Sequence, residues 1–317
     1  MEKSSKIYVA GHQGLVGSAL ERGLRARGYG SLVHRTRAEL DLRDRAGVDA
    51  FFAAERPEYV FLAAALVGGI LANNTYPADF IRENLEVELN VIDAAYRYGV
   101  RKLLFLGSVC IYPKHTPQPI REEYLFTGPL EPTNAPYAIA KIAGISLCQS
   151  YNRQYGTNFI SVMPTNLYGP GDSFDLRNSH VLPALMRRLD DARRAGEASV
   201  TVWGTGTPRR EFLHVDDMAA ACIHLMERYD SSEIINIGCG QDIAIGDLAR
   251  LIQRVVGFHG ELAFDPSKPD GAPERRLDVS RLLATGWTPA IRLEDGLEST
   301  YRWYCDNRGQ LRGVRPE

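Results

Sequence analysis

The chain has 317 residues, 44% of them hydrophobic and 24% charged, a composition that excludes a disordered, fibrous or disulfide-dense protein. Its formal net charge of −2 provides no global positive field for nucleic acid or an anionic membrane, so neither is expected as a partner. The five cysteines, Cys110, Cys148, Cys222, Cys239 and Cys305, are odd in number, far apart and without a Cys-x-x-Cys; this points away from a disulfide framework or zinc site and toward a reducing cytoplasm.

The start, MEKSSKIYVAGHQG, runs from a short polar tail into a strand at Ile7–Ala10 without the apolar core and cleavage site of a signal peptide. No segment approaches the ~18 uninterrupted apolar residues of a spanning helix. A helix is predicted from about Leu15 to Arg27, a short strand at Leu32–Val33, a helix near Arg43–Glu55 and a strand over Tyr59–Ala64. This is βαβαβ order. Continuous apolar runs such as Tyr59–Ala65 and Leu103–Leu106 read as strands buried on both faces, as a parallel sheet between helices requires. The fold expected is therefore α/β, a doubly wound (Rossmann) parallel sheet.

Helices over about Ala78–Tyr98 and Tyr137–Tyr155 bracket a strand at Lys102–Gly107, and Phe159–Met163 supplies another. From Gly169 onward Gly, Pro and Arg become frequent and the periodic segments shorter. We therefore expect a dinucleotide-binding domain over 1–170, with 212–238 returning to it, and a smaller substrate lobe over most of 171–317.

Three features carry chemistry. Gly11-His-Gln-Gly-Leu-Val-Gly17 follows a strand and opens a helix, placing Gly11, Gly14 and Gly17 with Gln13, Leu15 and Val16 where a backbone approaches a pyrophosphate. Taken alone, it is equally a plain glycine-rich turn. At the end of the second strand stand His34-Arg35-Thr36-Arg37. Two guanidiniums without a carboxylate favour the 2′-phosphate of NADP over the ribose of NAD, surface arginines being the alternative; Asp41 and Leu42 would flank the adenine. Third, Tyr137 and Lys141 lie four apart on one helix face, and Ser108 follows the strand Lys102–Gly107. A Tyr/Lys pair by itself is ordinary surface. With Ser108 at the carboxyl end of a strand, the three make a reductase triad. Ser108 polarises a carbonyl, Tyr137 donates the proton with its phenol eased by the neighbouring ammonium, and Lys141 also holds the nicotinamide ribose.

Longer strings extend this reading: Val9-Ala-Gly-His, Leu62-Ala-Ala-Ala with Val67-Gly-Gly-Ile, Asn73-Asn-Thr-Tyr-Pro-Ala-Asp79, Gly107-Ser-Val-Cys-Ile-Tyr-Pro113, Glu131-Pro-Thr-Asn with Pro136-Tyr-Ala-Ile-Ala-Lys141, Met163-Pro-Thr-Asn-Leu-Tyr-Gly-Pro170, Asn178-Ser-His180 and Arg210-Glu-Phe-Leu-His-Val-Asp-Asp217. Through them the chain resembles, nearly end to end, the extended short-chain dehydrogenase/reductase family, and within it the branch of GDP-4-keto-6-deoxymannose epimerase/reductases. The resemblance implies NADP(H) as cofactor and a GDP-linked keto-deoxysugar as substrate. It implies conversion of GDP-4-keto-6-deoxy-D-mannose to GDP-L-fucose, by epimerisation at C3 and C5 and then reduction at C4.

A C4 ketone acidifies the hydrogens at C3 and C5, so a base and an acid on opposite faces suffice to invert them. By resemblance Cys110 is the base and His180 the acid; an inert thiol and a satisfied core histidine are the alternatives. The resemblance also places Leu106, Gly107, Pro164, Asn166, Leu167 and His180 on the cofactor, and Arg188, Trp203, Arg210, Asp270 and Arg275 on the substrate. Arginine doublets such as Arg187-Arg188 are otherwise solvated helix faces. The chain departs from the family at Gln13, where an arginine is common, leaving Arg35 and Arg37 to bind the phosphate, and at Val109, commonly small and polar. His214 beside Asp216 and Asp217 reads as a strand end and helix cap, and no metal is expected; Cys148 reads as core.

The competing readings are a sibling enzyme on a related GDP-keto-sugar inverting one centre, an NAD-retaining nucleotide-sugar 4-epimerase, and a non-catalytic protein that kept the fold. The family also implies a homodimer, built from the two long helices as a four-helix bundle.

Overall fold

The apolar runs of the first half fold as parallel strands, each followed by a helix that covers a sheet face. The computed structural model describes residues 1–176, 179–268 and 270–311. In chain order these form β1 (Ile7–Ala10), α1 (Leu15–Ala26), β2 (Leu32–Val33), α2 (Arg45–Glu55), β3 (Tyr59–Leu62), α3 (Ile70–Thr75), α4 (Pro77–Arg97), β4 (Lys102–Leu106), α5 (Ala135–Tyr155) and β5 (Phe159–Pro164). There follow β6 (Asn166–Tyr168), α6 (Val181–Ala195), β7 (Ser199–Trp203), β8 (Arg209–His214), α7 (Val215–Arg228), β9 (Ile235–Ile237), β10 (Asp242–Ala244), α8 (Ile245–Val256), β11 (Glu261–Asp265), β12 (Glu274–Arg275), α9 (Ser280–Ala284) and α10 (Leu293–Asn307).

The main sheet has the order β2-β1-β3-β4-β5-β9 and is parallel throughout, as the doubly wound reading requires. Strand order reverses beside β1, so a crevice opens there at the carboxyl ends of the strands. One face of the sheet packs on α2, α4 and α5 through Val48, Phe52, Val91, Ile92, Ile145 and Cys148. The other packs on α1 and α7 through Leu20, Leu24, Met218 and Ile223. Cys148 is core, as its position on α5 suggests.

The differences from the sequence reading have local causes. α2 begins at Arg45 rather than Arg43 because the Asp44 carboxylate accepts the Ala46 N–H at 3.1 Å, capping the first turn. α4 begins one residue early with Pro77 in its first turn, where a missing N–H costs no hydrogen bond. The short α3 carries no periodic signal that sequence reading registers. The stretch 212–236 reaches the main sheet through α7 and β9; its first residues lie in β8.

β8 sits at the centre of a second sheet, pairing antiparallel with β10 and parallel with β12 and β6, while β7 and β11 pair separately. Its apolar side packs with α6, α8 and α10 around Leu185, Leu189, Leu248, Ile252 and Leu297. Glu211 of β8, fully buried, accepts the backbone N–H groups of Leu277 at 2.8 Å and Gly240 at 2.7 Å, tying the β12 segment to the end of the main sheet. Among the described residues no helix is long and apolar enough to cross a membrane.

Candidate active site

The turn from β1 to α1 is pressed against its surroundings. A Cβ at Gly17 would lie 2.1 Å from the Gly11 carbonyl oxygen, and one at Gly11, whose φ is +82°, 2.9 Å from the backbone of Ala64. Only glycine fits either position. The helix then starts at Gly14 with no side-chain cap, leaving the amides around Leu15 and Val16 to an anion. This bare, close-packed cradle fits a dinucleotide pyrophosphate. His12 stacks against His34 with ring centroids 4.4 Å apart; its pKa is lowered by burial and then by that neighbour.

The structure redirects part of the expected phosphate site. Arg35 is paired with Glu55 at 2.6 Å and lies over the Phe51 ring, so its guanidinium is drawn down along α2. Arg37 remains open, 66% exposed, with Glu83 at 3.4 Å. Asp41 is held by Arg43, whose hydrogen bonds bring the carboxyl down to about 2. Leu42 packs into the core, and its carbonyl accepts from Asn90 at 3.0 Å.

At the end of β4, Leu106 is buried and the Gly107 N–H bonds to Val162 O at 2.8 Å. Ser108 then caps a 3-10 turn, Val109–Ile111, its Oγ accepting the Cys110 N–H at 3.2 Å. The Cys110 Sγ accepts a hydrogen bond from Asn134 Nδ2 at 3.3 Å, just before α5 begins. Pro164 closes β5, while Asn166 on β6 donates to Glu211 O at 2.9 Å beside Leu167.

Tyr137 enters this corner from the first turn of α5. Burial raises its phenol far above the usual range, with Cys110 and Glu88 adding to the effect and a hydrogen bond with Ser108 opposing it. Burial therefore opposes the easing of the phenol expected from Lys141. The Lys141 ammonium, 5.9 Å from the Tyr137 ring centroid, is paired with Glu88 at 3.1 Å, so the carboxylate offsets its charge. His180 stands at the N-terminal cap of α6 without a side-chain capping bond; it reaches solvent, yet desolvation lowers its pKa. Asn178 lies outside the described residues.

The second sheet brings two of the expected substrate residues, Arg210 and Arg275, side by side. Arg275 on β12 is in register with Arg210 on β8, and burial, then Arg275, lower the Arg210 pKa against the pull of Asp270. Asp270 accepts from Thr205 N at 2.7 Å and Thr205 Oγ1 at 2.8 Å. The Trp203 ring, 60% exposed, lies between the Arg188 guanidinium at 5.3 Å and Lys268 Nζ at 5.8 Å. Arg275 also donates to the Val109 carbonyl at 3.2 Å, bridging this group to the turn that bears Cys110. His214 Nδ1 accepts the Asp216 N–H at 3.2 Å, capping α7 as the sequence predicts.

Sequence reasoning missed Asn134, Lys268 and Glu88. Glu88 had a signal: a carboxylate in the stripe Phe80, Asn84, Glu88, Val91, Ala95 that α4 buries.

The profile of the NAD dependent epimerase/dehydratase family matches residues 7–238. The chain is 60% identical over 306 residues to GDP-L-fucose synthase 1 of Arabidopsis thaliana, covering 96% of this chain and 95% of the relative. It is 56% identical over 317 residues to the GDP-L-fucose synthase of Escherichia coli strain K12, covering 97% and 99%. A solved GDP-L-fucose synthetase from Naegleria fowleri bound to NADP superposes with a TM-score of 0.92 at 30% identity, covering 98% of this chain and 97% of that one.

Proposed function

The chain belongs to the NAD dependent epimerase/dehydratase family, and from that membership we propose that it converts GDP-4-keto-6-deoxy-D-mannose to GDP-L-fucose with NADPH, inverting C3 and C5 and then reducing C4. The observation that carries this reading is the corner where the thiol and serine hydroxyl of the turn after β4 meet the phenol from the first turn of α5. It joins the residue types for proton abstraction to those for carbonyl reduction.

Cys110 removes the proton from the carbon next to the ketone, and His180 returns one on the opposite face. Arg275 and Arg210 hold the diphosphate, Arg188 and Trp203 the base, and Asp270 hydroxyl groups. NADPH supplies the hydride to C4. Ser108 then hydrogen-bonds the developing alkoxide while Tyr137 delivers the proton. Lys141 holds the nicotinamide ribose. When bound, the cofactor would be held along Gly11, Gln13, Gly14, Leu15, Val16 and Gly17, with Arg37 at its 2′-phosphate, Asp41 and Leu42 beside its adenine, and Leu106, Gly107, Pro164, Asn166, Leu167 and His180 toward its nicotinamide. Residues 1–170 with 212–238 form the cofactor domain, and the rest of 171–317 mainly the substrate lobe.

The test is incubation with GDP-4-keto-6-deoxymannose and NADPH in heavy water, with NMR of the product. NADPH oxidation with deuterium at C3 and C5 is expected; label at one carbon or none would reduce the activity to that of a narrower reductase, and label without oxidation would leave an epimerase alone.

Because Arg35 is engaged by Glu55, Gln13→Arg is expected to raise the preference for NADPH over NADH, in kcat/KM, by about tenfold, the effect of one added charge-assisted hydrogen bond to phosphate. An unchanged ratio would place residue 13 away from that phosphate.

The chain forms a homodimer in the cytoplasm. The adjacent helices α4 and α5 carry Leu89, Tyr96, Ile139 and Tyr155 exposed, apolar area that a two-fold four-helix bundle would cover. Sedimentation is expected to give a dimer, and Leu89→Glu with Ile139→Glu a monomer; a monomeric wild type removes this assignment.

A further inference from the structure

Beneath the crevice α4 and α5 bury an acid–base pair, of which the assigned roles use Lys141 and leave Glu88 unexplained. Glu88 and Lys141 are 2% and 3% exposed at their side chains, with Glu88 Oε1 and Lys141 Nζ 3.1 Å apart. The cell that encloses them is built from several elements. Nζ lies 4.7 Å from the centroid of Phe105 on β4. On α5, one turn beyond Lys141, a Cβ at Gly144 would come within 2.8 Å of Glu88 Oε2 and 2.4 Å of the Phe105 ring. Glycine at 144 is thus what admits the carboxylate beneath α5.

Removing two charges from water is not a way to gain stability, since well-packed apolar residues serve as well or better. Lys141 lies on the same helix as Tyr137, one turn away from it, and Glu88 reaches it from α4. Its placement therefore points to the chemistry at that helix.

We propose that Glu88 is a positioning residue for the reduction: it fixes the Lys141 ammonium beneath the crevice and offsets its charge, so that Tyr137 meets the ketone as an acid. The inference rests on the roles given above to Tyr137 and Lys141. The titratable groups facing Glu88 are Lys141, Tyr137 and Cys148, all on α5, and Cys110 adds its influence on Tyr137 from the turn after β4. Burial dominates the raised pKa of Glu88, and Lys141 opposes it. Toward Tyr137, Glu88 acts with burial and Cys110 to keep the proton on, while Ser108 acts against them. Loss of the Glu88 charge therefore lowers the phenol's pKa. In reduction the protonated phenol is the reactive form, so the alkaline fall in kcat moves toward neutral pH.

The test is Glu88→Gln in the full-length enzyme. Its alkaline limb for reduction is expected to shift down by about one pH unit, with kcat at the optimum reduced about tenfold and KM for the sugar nucleotide within about twofold of wild type. A second readout is the near-ultraviolet phenolate band of Tyr137 with NADP⁺ bound, taken as the difference from the matching Y137F protein; in E88Q it should appear at lower pH. Glu88→Asp, which keeps the charge, should leave the limb in place and lower kcat only. If E88Q does not fold, E88D carries the test, and an E88D limb shifted as far as one pH unit would overturn the proposal. In a Lys141→Met background the Gln substitution should add a smaller shift. An E88Q enzyme with wild-type titration and turnover, or a shift undiminished without Lys141, would overturn the proposal. An unimpaired K141M would remove the triad assignment and this proposal with it, whereas an impaired K141M beside an unaltered E88Q overturns this proposal alone.

Discussion

Tyr137→Phe is expected to lower kcat for NADPH oxidation by about a thousandfold, within the range attributed to a positioned general acid, while exchange of substrate hydrogens with heavy water continues. The phenol oxygen is the only atom removed. Its ring is buried against Phe80 in an edge-to-face contact, and phenylalanine keeps that contact, so the helix start should hold. Ser108 loses its bond to the phenol but retains the one it accepts from the Cys110 amide, and the turn bearing the base stays as it is. The separation of the two activities checks the assignment: reduction lost with deuterium still entering C3 and C5. If exchange and reduction disappear together while the protein remains folded, Tyr137 takes part in both steps.

The complementary substitution, Cys110→Ser, is expected to suppress deuterium entry at both C3 and C5 by about a hundredfold or more, the low end of what general-base removal costs. NADPH binding should not change, because the glycine turn lies before α1 and the thiol belongs to the turn after β4. A hydroxyl of nearly the same shape preserves the Asn134 hydrogen bond to the side chain and the backbone bond to Ser108, so any loss is one of basicity rather than of form. Slow oxidation of NADPH should persist and yield a reduced sugar without inversion, detectable by NMR of the product. Retained label at one carbon would assign the base at that carbon to another residue.

The sheet and the triad were legible because each rests on short-range pattern. Continuous apolar runs mark strands covered on both faces, a glycine every third residue marks the β1–α1 turn, and a four-residue spacing puts Tyr137 and Lys141 on one helical face. What escaped depends on side chains that meet only when distant segments pack. Lys141 was read with Tyr137 as its electrostatic partner because the sequence holds them together; the fold brings in Glu88 from α4 as a closer one. Arg35 was read by its place at the end of β2, but its long side chain turns to Glu55 at the far end of α2. Asn134 was noticed as part of a motif string, without a means of knowing that its amide would reach Cys110. The substrate arginines came from resemblance, and nothing in their local sequence distinguishes Arg210 or Arg275 from the solvated arginines around them.

Arg275 has one further meaning. Its backbone is locked in register with Arg210 on β12 and β8, while its side chain ends on the carbonyl of Val109. The gap between the second sheet and the turn after β4 is thus spanned by a single side chain of fixed covalent length, and the buried Glu211 ties down the strand behind it. The molecule is built as a calliper: one jaw is the second sheet, the other is the turn after β4, and for the proposed reaction a sugar nucleotide would be selected by its reach between them as much as by the groups it carries.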